Sequence, residues 1–85
     1  MLRYSIYAGR DQLGWSFYSL LGARYNAVTA CAASGLAVDV IDNQTGVIMY
    51  SFERDAAGRV CCVYKDPDAD GIAYPPEKCF YNVPA

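Results

Sequence analysis

The stretch Leu36-Ala37-Val38-Asp39-Val40-Ile41, then Asp42-Asn43-Gln44-Thr45-Gly46, then Val47-Ile48-Met49-Tyr50-Ser51-Phe52 decides the fold. Two runs rich in β-branched and aromatic residues flank a cluster of turn formers, and that pattern reads as a β-hairpin. Downstream, Asp55-Ala56-Ala57-Gly58 supplies a second turn and Val60-Cys61-Cys62-Val63-Tyr64 resumes strand composition, which extends the hairpin to a three-strand meander. The prolines and acids gathered beyond Lys65 favour irregular structure, so the core spans residues 1–65 and a tail, residues 66–85, wraps it.

Upstream, Leu21, Tyr25, Val28 and Ala32 fall at steps of four, three and four, which sets them on one helical face. The small residues from Ala27 to Ala33 let the helix lie close to a sheet, and Gly35 stands where a left-handed cap ends it. Leu2, Tyr4 and Ile6 alternate with Arg3, Ser5 and Tyr7 as in a first strand. Gly9 to Gly14 breaks that strand, and the aromatic run Trp15 to Leu20 reads as a second strand or as the lead into the helix, with the strand favoured. The expected fold is α+β: β(β)αβββ, an antiparallel sheet of four or five strands with one helix on one face.

At 85 residues the chain suffices for a single domain and is too short for two. A hydrophobic fraction of 54% argues against a disordered chain. Nine acids against seven bases give a net charge of −2, which provides no field for a phosphate backbone and makes direct nucleic-acid binding an unexpected role. Polar residues interrupt every apolar run well short of the roughly 20 residues a bilayer needs, and no secretory signal pattern opens the chain. The expectation is a cytoplasmic protein that does not span a membrane.

With no histidine, the usual general base of triad hydrolysis is missing, and neither the P-loop nor the dinucleotide glycine pattern occurs. No catalytic residue and no cofactor are expected. Cys31, Cys61, Cys62 and Cys79 leave two readings open: free, partly buried thiols of a reducing compartment, or a staple from Cys79 to Cys61 or Cys62. Strand alternation puts Cys61 and Cys62 on opposite faces, so one of them is expected to be accessible. Zinc on four thiols lacks the paired C-x-x-C spacing, whereas a thiol-based redox role through Cys61, Cys62 or Cys79 stays among the alternatives.

Asp66-Pro67-Asp68-Ala69-Asp70-Gly71, with Glu77 beyond, has the spacing of an EF-hand calcium loop, with Asp66, Asp68, Asp70 and Glu77 as carboxylate ligands and the Ile72 carbonyl at the seventh position. Pro75 and Pro76, where the exiting helix belongs, and the strand-like Val60 to Lys65 before the loop depart from that motif. A solvated acidic turn accounts for the same residues, and a calcium-stabilised domain is the alternative.

Eight tyrosines, one tryptophan and three phenylalanines are more aromatic surface than one thin core needs. Tyrosine and tryptophan give large rigid contact area, so the surplus points to a protein partner. The expected partner-binding residues are Tyr7, Trp15, Tyr18, Tyr64, Asp66, Asp68, Asp70 and Tyr74. An open edge strand would also pair two copies or accept a partner's strand.

In its Ala33-Ser34-Gly35 helix end, the strand Ala37 to Asp42, the Asn43-Gln44-Thr45-Gly46 turn and the returning strand from Val47, the chain resembles small phage-encoded inhibitors, notably anti-CRISPR proteins. The resemblance is one of layout, over residues 1–65. It implies a stoichiometric inhibitor that occupies a surface of a bacterial defence complex (CRISPR-Cas) in the host cytoplasm and needs no catalysis.

Overall fold

The computed structural model describes residues 2–14 and 16–69. The hairpin forms as its composition demands: β3 (Val38–Asp42) and β4 (Ile48–Arg54) pair antiparallel across a turn closed by Asp42, whose carbonyl accepts from Gly46 N at 2.7 Å. Gly46, at φ +75°, takes the left-handed conformation the turn requires. At the next turn the Asp55 carboxylate accepts from the backbone N–H of Ala57 and of Arg59, at 3.0 and 2.8 Å, and sends the chain back as β5 (Val60–Lys65). With β1 (Tyr4–Ala8) beside β3 and β2 (Asp11–Gln12) at the far edge, the sheet has the order β2-β1-β3-β4-β5, antiparallel throughout. Among the described residues one helix, α1 (Leu20–Ser34), packs on one face.

Three expectations need correction. The second strand is Asp11–Gln12, not Trp15 to Leu20. Gly9 and Arg10 form a two-residue turn that pairs Tyr7 with Gln12 and Ala8 with Asp11, so the chain folds back earlier than its aromatic composition suggests. Of the aromatic run, Phe17 keeps only an isolated bridge to Tyr4, and the helix starts at Leu20 because the Ser19 hydroxyl caps it, accepting from Gly22 N at 2.9 Å. Trp15 lies outside the described residues.

The helical face against the sheet also differs. Val28 is buried, but its companions are Ala23, Ala27 and Cys31, while Leu21 and Tyr25 are 56% and 72% exposed. The reason is volume. Tyr4, Val38, Val40, Tyr50 and Phe52 already fill the layer above the sheet, with the Tyr50 and Phe52 rings stacked at 5.6 Å. Only small helical residues fit against them at close-packed density. The helix ends at Gly35 as expected, at φ +73°, its N–H donating to Cys31 O at 2.9 Å, and Arg54 from β4 donates to the Ala32 carbonyl at 3.0 Å.

Finally, Cys61 and Cys62 are both buried. Alternation still holds, since Cys62 joins the core under the helix and Cys61 does not, and Cys61 is disulfide-bonded. Not all the thiols are therefore free: Cys31 and Cys62 are, and Cys79 lies outside the described residues. The described helix is not long and apolar enough to cross a membrane.

Candidate functional site

Chain reversal at the start of α1 and at the two loops beyond β3 and β5 brings a set of side chains to one end of the domain. A groove of about 570 Å³ lies there. Leu20 and Leu21 enter it from the helix, Val47 and Met49 from the end of the hairpin, and Tyr18 from the approach to the helix. Met49 reaches the helix side together with its neighbour Tyr50 because the β3–β4 register slips at Val40/Ile41, a bulge that turns two successive residues toward the core.

Asp42 and Arg3 line the same groove as an ion pair, with Arg3 Nη2 at 3.1 Å and Nε at 3.3 Å from one carboxylate oxygen. Burial alone would raise the Asp42 pKa. Hydrogen bonds from Arg3 and from the backbone N–H groups of Gln44 and Thr45 outweigh it and hold the carboxyl below its ordinary value. The Arg3 guanidinium also lies over the Tyr4 ring, 5.3 Å from its centroid.

Of the residues expected to bind a partner, Tyr18, Asp66 and Asp68 meet at this groove. Tyr18 is 82% exposed. Asp66 and Asp68 stand in a tight turn: Asp66 Oδ1 accepts from Asp68 N and the Asp66 carbonyl from Ala69 N, both at 2.9 Å. The Tyr64 hydroxyl reaches Asp66 Oδ2 at 3.3 Å, so Tyr64 borders the turn without lining the groove. Tyr7 is not brought in. It is half-buried on the sheet face away from α1, beside Gln12. Asp70, Tyr74 and Glu77 lie outside the described residues, and with them half of the calcium motif; among the described residues no three His, Cys, Asp or Glu side chains gather as a metal site.

Sequence reading missed Leu21 and Tyr25, assigning them to the helical face against the sheet. With Tyr18 they follow at steps of three and four, and the exposed positions of α1 carry no charge. The signal was available in the run of alanines on the opposite side of the helix, which a sheet already full of aromatics selects.

The free thiols offer little chemistry. Burial raises the pKa of Cys31 and of Cys62, which keeps both protonated and poorly nucleophilic. Cys61, held in a disulfide, is no thiolate ligand, which removes the four-thiol zinc site.

Compared with known proteins, the chain matches no family model, no curated protein and no solved structure.

Proposed function

We propose that the protein acts without catalysis, by docking on a protein partner through the outer face of α1 around Tyr18, Leu21 and Tyr25. The observation that carries this reading is the exposure of three large side chains, Tyr18 at 82%, Leu21 at 56% and Tyr25 at 72%, just before and along the first turns of a helix whose exposed positions carry no charge. Aromatic and aliphatic anchors of this kind supply most of the energy of protein interfaces. The single charge of α1, Arg24, is half-buried, so a partner covering this face has no charged helical side chain to desolvate in the open. The protonated, buried thiols and the histidine-free sequence support a role that breaks no bonds.

The narrower form of the reading is a phage-encoded inhibitor that blocks a bacterial defence complex such as CRISPR-Cas, which the resemblance in layout supports. Affinity capture from bacterial lysate, with quantitative mass spectrometry of the wild type beside Leu21→Gln/Tyr25→Gln, tests both. Glutamine keeps helix propensity while removing the apolar contact. The expected result is a stoichiometric partner retained by the wild type and lost by the double variant; equal retention contradicts the assigned face, and a partner outside defence complexes contradicts the narrower form.

A further inference from the structure

The groove beside that face has a charge pattern of its own. Its wall is apolar at Leu20, Val47 and Met49, and its acids are of two kinds. Asp42 is neutralised by Arg3 at 3.1 Å, so the pair adds no net charge. Asp66 and Asp68 add two negative charges, and the basic side chain that lines the groove, Arg3, is already engaged by Asp42. The carboxylate of Asp68 is exposed and accepts no hydrogen bond among the described residues. Arg3 shows a cation already held at this groove: a guanidinium on a carboxylate and over an aromatic ring.

We infer that the groove receives a basic side chain, arginine or lysine, adjoining an apolar residue in the segment of the partner that covers Tyr18 to Tyr25. The apolar neighbour and the aliphatic stem lie on Leu20 and Met49, and the charged head meets Asp66 and Asp68. An apolar wall capped by unpaired acid disfavours an acidic or purely apolar segment, because either leaves the carboxylates facing like charge or stripped of water. This inference rests on the proposed docking function and adds the chemistry of the partner.

The test uses the whole chain and a capped peptide of alternating arginine and leucine, with a glutamine–leucine peptide as control, followed by NMR. Expected are saturable shifts at the Met49 methyl and the Leu20 and Asp68 amides with the basic peptide, binding that weakens as salt rises, and at least tenfold weaker binding to Asp66→Asn/Asp68→Asn. Asparagine keeps the turn's side-chain acceptor and removes the charge. Four results overturn the inference: no saturable shift; equal binding of the control peptide; a Met49 signal that moves with protein concentration alone, which gives the groove to a second copy; or contacts in the free protein between Met49 and residues beyond Ala69, which give it to the chain's own continuation. Failure here is distinguishable from failure of the docking reading. A captured partner lost by Leu21→Gln/Tyr25→Gln but fully retained by Asp66→Asn/Asp68→Asn sinks the groove assignment alone.

Discussion

Asn43 Nδ2 donates to the hydroxyl of Ser5 at 2.8 Å, across 38 residues of sequence, and to the Leu2 carbonyl at the same distance. The β3–β4 turn is thereby tied to the first strand on the sheet face away from the helix. Ser5 is fully buried there, with Ser16 Oγ at 3.2 Å and Gln12 Nε2 at 3.5 Å as its further partners. This contact fixes the hairpin end of the groove relative to Arg3, so it supports the candidate site from behind.

Asn43→Ala removes both hydrogen bonds and leaves the Leu2 carbonyl and Ser5 short of a partner. The expected cost is about 1–3 kcal/mol, read as a lower urea midpoint at unchanged slope. A double-mutant cycle with Ser5→Ala should return a coupling of roughly 0.5 kcal/mol or more, whereas strict additivity would mean that the two side chains act independently.

The Arg3–Asp42 pair sets a pH dependence. The folded-state pKa of Asp42 is lowered, so the pair contributes stability that is fully present above the unfolded carboxyl value of about 3.9 and is lost as pH falls through the lower folded value. Urea midpoints of the wild type and Asp42→Asn should differ at pH 6 and converge in strong acid. A constant offset between the two curves down to pH 2 would show that Asp42 acts through shape rather than charge. Asp55, also lowered, first by the backbone N–H of Arg59, keeps some acid sensitivity in both proteins.

The seam between helix and sheet discriminates the two faces of α1. Ala27 is fully buried against it, and Ala27→Leu forces extra volume into a filled layer, at a cost of about 1–3 kcal/mol. Leu21→Gln, on the exposed side, should change stability by less than about 0.5 kcal/mol. The reverse order of the two effects in denaturant melts would mean that Leu21 and Tyr25 belong to the core.

That contrast also shows where the sequence was legible. Val38 to Phe52 announced its hairpin because turn formers and β-branched strands act locally, and the cap at Gly35 did so for the same reason. The helical face was not legible from spacing alone, since Leu21, Tyr25, Val28 and Ala32 are as regular as Ala23, Ala27 and Cys31, and α1 has apolar residues on every side. What selects between them is the bulk of Tyr50 and Phe52, eighteen or more residues away. The early turn at Gly9-Arg10 was hidden by a richer strand signal in Phe17 and its neighbours, and the groove was hidden because its two loops meet only in the folded chain. Tyr18, Asp66 and Asp68 were found as residue types suited to contact, and their meeting at one end is a product of topology.

Thiol chemistry offers an independent check. Native protein should leave Cys31 and Cys62 unmodified by an alkylating reagent, since both are buried and protonated. Unfolding without reductant should expose these two, and Cys61 should react only after reduction. Peptide mass spectrometry reads all three states, and rapid native labelling of Cys31 would contradict its place beneath the helix.

Hydroxyl-radical footprinting of the protein alone and with its captured partner tests the docking surface most directly, because tyrosine rings report their own exposure. Tyr18 and Tyr25, 82% and 72% exposed, should label strongly in the free protein and become protected in the complex, while Tyr50, 1% exposed, stays unlabelled in both. Unchanged labelling of Tyr18 and Tyr25 in a formed complex would contradict the account.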